Sequence, residues 1–116
     1  MKKLLLTFIL LAFMQSIMSQ QIFPVDAEYR ADIKIFKVDR DYQADLLVYM
    51  VNRNYRADGN TGLWYFTDKE YRAEVKVFFV NRDYQADLKV YFVDREYMAG
   101  WRDTSKKHIL ETLLKK

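Results

Sequence analysis

Cysteine is absent from the 116 residues. The chain therefore forms no disulfide, has no thiol nucleophile and offers no thiol for lipid attachment. Histidine occurs once, at His108, and beyond residue 19 the one serine is Ser105. These two lie three residues apart in a polar tail where nothing nearby supplies a rigid setting, so surface residues of a terminal element are the preferred reading over a nucleophile and its base. Proline occurs once and glycine three times. Positive-φ positions are expected in the Gly59–Gly62 stretch, with its two glycines and an asparagine. Corners without glycine favour type I geometry over primed hairpin turns. Nor is there a long apolar run: Leu4–Met14 is interrupted only by Thr7 and is too short to span a bilayer. Excess charge is missing too. Setting aside Lys2 and Lys3 leaves 17 basic against 16 acidic residues, interleaved along the chain. A nucleic-acid binder would gather basic charge on one face, so none is expected as a partner.

The first nineteen residues read as a secretory signal. Lys2 and Lys3 precede the apolar stretch, and Ser19 ends it before Gln20-Gln21. The expected product is exported, periplasmic or extracellular, with cleavage after Ser19.

From there a repeat governs the chain. Tyr29, Tyr42, Tyr55, Tyr71, Tyr84 and Tyr97 are spaced by 13, 13, 16, 13 and 13 residues. Each follows an aromatic by six residues (Phe23, Phe36, Tyr49, Tyr65, Phe78, Tyr91) and precedes an alanine by two. Repetition this regular outranks local propensity. From Tyr84 to Val90 apolar and polar residues alternate, the period of a half-buried strand. That parity places Tyr84, Ala86, Leu88 and Val90 on one buried face. The runs Val48–Val51, Val77–Val80 and Val90–Val93 are apolar throughout, so either a bulge intervenes or both faces are covered. Triplets such as Asp39-Arg40-Asp41 and Asn81-Arg82-Asp83 punctuate the strands as type I corners capped by Asp or Asn. Each unit then supplies one strand of about eight residues and one corner, and periodicity alone suggests a β-meander. Pro24 suits an edge strand.

The repeat breaks twice. Gly59-Asn60-Thr61-Gly62-Leu63-Trp64 replaces a strand half and adds three residues, and the sixth unit ends Gly100-Trp101-Arg102. Beyond it Ile109, Leu110, Leu113 and Leu114 recur at helical spacing, with Thr104 or Ser105 as candidate cap. This tail, 109–116, is a short helix or a last strand, expected to dock on the domain.

Chemistry-bearing clusters are few. Asp39, Asp41 and Asp45, or Asn81, Asp83 and Asp87, have the alternate oxygens that calcium favours. An arginine inside each cluster and the lack of a loop glycine favour turn capping and arginine pairing instead. No metal or cofactor is expected. A tyrosine in every unit points to packing rather than to a ladder for sugar or peptide. Functional residues are sought where the repeat breaks: Asp58, Asn60, Trp64, Trp101 and Arg102. The two tryptophans are either exposed anchors or plugs in the core.

With Val93-Asp94-Arg95-Glu96-Tyr97, the Asp58–Trp64 insertion and the ending Ala99-Gly100-Trp101-Arg102 before Lys106-Lys107-His108, the chain resembles the septoil-knot domain family. The resemblance runs from Ile22 to His108 within a domain of residues 20–108. It implies an all-β fold of six to seven short strands wound as a seven-crossing torus knot, and it brings no catalytic residue. The first repeat departs from the pattern, since Pro24-Val25-Asp26-Ala27 lacks the corner arginine. The function expected is a non-enzymatic, exported structural or binding module that unfolds slowly. The alternative is a domain that binds or hydrolyses envelope glycan with the Asp58–Trp64 loop. Partners would be another envelope protein or a glycan.

Overall fold

A computed structural model describes residues 20–57 and 59–114. The expected signal segment and Asp58 lie outside these residues. The strands are β1 (Gln21–Pro24), β2 (Ile33–Lys37), β3 (Leu46–Met50), β4 (Leu63–Phe66), β5 (Val75–Phe79), β6 (Leu88–Phe92) and β7 (Gly100–Trp101), followed by helix α1 (Lys107–Leu114). The sheet order is β4-β1-β5-β2-β6-β3, and β3 pairs again with β4, so six strands close into a barrel. All six are mutually parallel; β7 alone runs antiparallel, against β3.

This overturns the meander. Adjacent strands of a meander are antiparallel, whereas here consecutive strands are mostly separated by one from the other half of the chain. β1, β2 and β3 make a first lap of the barrel. β4, β5 and β6 make a second lap and fill the gaps. Every parallel pairing joins the two laps. A chain passing twice around one axis in this way follows the path of a torus knot.

The six barrel strands are four or five residues long, not eight. The remainder of each unit is a crossover, eight residues long after β1, β2, β4 and β5. Parallel crossovers ordinarily take a dozen or more. A single 3₁₀ turn makes the short return possible. Between β5 and β6, Gln85 N donates to Arg82 O at 3.1 Å and Ala86 N to Asp83 O at 3.2 Å. The corners use no positive φ; among the described residues only Gly59, Gly62 and Gly100 have one.

The inward residues stack in layers, as barrel geometry requires. Ile33, Leu46, Val75 and Leu88 form the lower layer, and Ile22, Ile35, Val48, Trp64, Val77 and Val90 the middle one. None is more than 2 % exposed. Outward residues such as Phe36, Tyr49, Phe78 and Tyr91 are half-buried beneath the crossovers. The apolar runs are therefore covered on both faces at Val48-Tyr49, Val77-Phe78 and Val90-Tyr91, while Met50 and Phe79 in two of them are exposed. Pro24 is at no edge, because the closed barrel has none. It ends β1, on the side that Ile22 O presents to β4, and β4's chain has by then left through Thr67.

Carboxylates pin the register. Asp32, Asp45 and Asp87 each accept the main-chain N–H of Lys76, Lys89 and Lys34 at 2.9 Å. Each returns its own N–H to the same lysine's carbonyl, at 2.7, 2.8 and 2.8 Å. The expected turn-capping role thus gives way, for Asp45 and Asp87, to a bracket between laps.

Helix α1 closes the end of the barrel where the strands begin, burying Leu110 and Leu114 against the core. The docked-helix expectation holds, and the 3₁₀ turn Thr104–Lys106 that leads into the helix is capped by Asp103, which accepts from Ser105 N. The opposite mouth is a cleft of about 420 Å³ lined by Lys37, Met50, Phe66, Phe79 and Phe92. Lys37 Nζ stands 5.6 Å from the centre of the Phe92 ring.

Candidate functional site

The residues singled out at the breaks in the repeat do not make an open cleft. Trp64 is fully buried inside the barrel and packs edge-on to Phe66 at 6.1 Å. It offers no face to a ligand, so of the two alternatives the core plug describes it. Leu63 and Trp64 belong to β4 rather than to a loop. Asn60 and Trp101 do come together: Trp101 Nε1 donates to Asn60 O at 3.0 Å. Asn60 Oδ1 accepts from Gln20 Nε2, and its Nδ2 donates to Lys107 O, both at 3.2 Å. These bonds tie Gln20, just before β1, to β7 and α1 in a clasp beneath the barrel. Arg102 is exposed beside it, with its main-chain N–H on Asp45 O at 2.9 Å.

The larger correction concerns the tyrosines. All six repeat tyrosines are exposed, from 66 to 88 %. Each is the middle residue of a 3₁₀ turn, and these turns lie on the outside of the barrel. The turn at Glu28–Arg30 lies on β5, Asp41–Gln43 on β6, Asn54–Arg56 on β4, Asp83–Gln85 on β2 and Glu96–Met98 on β3. The tyrosines therefore form a belt around the barrel. Packing does not account for them. Alternation along extended backbone put Tyr84 on the face of Leu88, but the 3₁₀ turn between them resets the phase. Ala86 is half-buried, while Ala57 is fully buried.

Ion pairs stitch neighbouring turns of the belt. Arg30 contacts Glu70 at 2.5 Å and Asp26 at 2.9 Å, and Arg56 contacts Glu96. Glu70, then Asp26, raises the Arg30 pKa and keeps the guanidinium charged. Such exposed pairs orient side chains more than they stabilise the fold.

Between the turns lie grooves. One of about 370 Å³ separates the Glu28–Arg30 and Asp83–Gln85 turns, and Glu28, Lys34, Phe78, Asn81, Tyr84 and Gln85 line it. A smaller one, about 240 Å³, has Phe36, Gln43, Asp83 and Lys89 in its wall. The two are pseudo-equivalent. Register sets Lys34 beside Phe78 and Lys89 beside Phe36, and likewise Lys76 beside Phe23. Each floor thus combines an aromatic from one lap with a lysine from the other. Sequence reasoning missed these grooves. The signal was present in the spacing of aromatic and lysine within each unit, but pairing across laps is needed to bring them together.

No group of three or more acidic, histidine or cysteine side chains gathers as a metal site among the described residues. No helix among them is long and apolar enough to cross a membrane.

Comparison with curated proteins and with solved structures finds no match. The family model described as "7(1) septoil knot domain" matches residues 19–102. The two-lap barrel and that match agree: the chain belongs to the septoil-knot domain family.

Proposed function

We propose that the protein is an exported, non-enzymatic binding module, with the tyrosine belt as its binding face and the knotted barrel as a slowly unfolding scaffold. One observation carries this reading. Within the units the residue before each tyrosine drifts among Asp, Glu and Asn, and the residue after it among Arg, Gln and Met. The tyrosine does not drift, although it is as exposed as its neighbours. An exposed aromatic gains nothing from burial in the monomer, so an unvaried one supports a role in contact with a partner. Among the described break-point residues, Trp64 is packed in the core and Asn60 and Trp101 are engaged in a clasp, which supports the same class of function.

The test is partition with the cell envelope. The purified protein should sediment with envelope material, and the triple variant Tyr42→Ser/Tyr84→Ser/Tyr97→Ser should remain in the supernatant at an unchanged melting temperature. Equal partition of the two would overturn the belt as the binding face. Intact-mass measurement of the native protein checks export: a chain beginning near Gln20 is expected, and Met1 retained on a cytoplasmic protein would refute it.

A further inference from the structure

Resting on the belt as the binding face, we infer that its grooves take uncharged sugar residues, and that the partner is a neutral polysaccharide contacted at several points around the barrel. The groove beside Tyr84 is the clearest case. Its volume, about 370 Å³, is in the range of small-ligand sites. Phe78, half-buried, and Tyr84, 79 % exposed, both line it. Ring faces of this kind stack on the apolar C–H face of a pyranose. Asn81 and Gln85 supply amides, each with donors and an acceptor in one plane. Hydroxyl groups around a sugar's edge need that combination of donors and acceptors.

Charge narrows the class. The one acid and the one base in the groove are already paired: Lys34 Nζ lies 3.2 Å from Glu28 Oε1. An anionic or cationic ligand would have to break this pair, whereas a neutral one leaves it intact and can hydrogen-bond to it. The same logic excludes a phosphate backbone, which needs unpaired cations.

Repetition sets the scale. The acid–lysine spacing of Glu28 and Lys34 recurs in Glu70 and Lys76 and in Asp83 and Lys89, each beside an aromatic on the paired strand. A ligand with one sugar would use a single groove. A polymer of like units could engage several, and weak single contacts would add through effective concentration.

The test is retardation of the full-length gene product in native gels cast with a neutral glucan or with an uncharged chitin derivative, and with a sulfated polysaccharide as the anionic comparison. Retardation by at least one neutral polymer is expected. Tyr84→Ala combined with Asn81→Ala should weaken it about tenfold. Both sites are exposed, and an unchanged melting temperature would show that the fold is intact. Adding Tyr42→Ala should weaken binding to polymer further than binding to a trisaccharide. Retardation only by the sulfated polymer would overturn the inference, as would equal retardation of wild type and variant. If the tyrosine variants lose envelope partition while no neutral polymer binds, the belt stands as the binding face and the sugar assignment falls. If sedimentation shows that they convert a dimer to a monomer, the belt pairs copies of the chain, and the sugar assignment falls as well.

Discussion

Gly62 stands where three backbones meet. Its carbonyl accepts Tyr49 N at 2.9 Å, and a Cβ there would run into Leu47 O and come within 3.1 Å of Gly100 N. Its φ of +88° adds strain for any other residue. Gly59 also has a positive φ, but a Cβ there would meet only Thr61 Cγ2 at 3.9 Å. Gly62→Ala should therefore cost about 3 kcal/mol or more, against about 1 kcal/mol for Gly59→Ala. Denaturant melts giving the opposite order would mean that the β3–β4–β7 junction is loose. Both positive φ values were legible in the sequence, because glycine is scarce and clustered. The buried Ile, Val and Leu positions were legible for a different reason: one face of each strand is dry, so burial enforces the alternation. The tyrosines were not. Repetition reveals what every unit keeps, and only geometry reveals whether it is kept dry or wet.

At the level of elements, strands and glycine-free corners could be read from the sequence, while the direction of pairing could not. A thirteen-residue unit looks too short for a parallel crossover, and the bracket of Asp32, Asp45 and Asp87 across laps has no local signature. The last element shows how an end is held. Asp103 accepts from both Ser105 N and Ser105 Oγ. The Ser105 hydroxyl, more than any other group, holds the Asp103 carboxyl below its ordinary value, with a lesser contribution from Lys106. A depressed carboxylate contributes stability above its unfolded pKa and loses it as pH falls through the folded one. Docking of α1 should accordingly be steady from neutral pH down to the usual aspartate range and weaken only at more acidic pH. Trp101 fluorescence should report this, and Ser105→Ala should move the acid transition to higher pH. A transition unmoved by Ser105→Ala would remove the hydroxyl from the account.

For the molecule as a whole, the two laps hold each other and neither holds itself. Gly59 and Thr61 are exposed, whereas Gly62 is buried among backbones. Under native conditions a protease should cut first at residues 59–61. The nicked halves should then co-elute in native size exclusion and separate only in denaturant, since each supplies the other's strand partners. Early cuts between Tyr65 and Tyr97, or halves that separate in native buffer, would show that the barrel opens locally and would end the claim of slow unfolding.

The same interleaving governs how the chain can be delivered. A polypeptide leaving a ribosome or a translocation pore appears from its N-terminus. When β1, β2 and β3 have emerged, none has a partner among the others. The half-made protein thus has no native sheet in which to be trapped and remains an extended, threadable strand. Every pairing must await the second half, so folding is dominated by distant contacts and should be slow. A tightly wound product is in this way compatible with passage through a narrow channel, because its winding begins only after most of the chain is across.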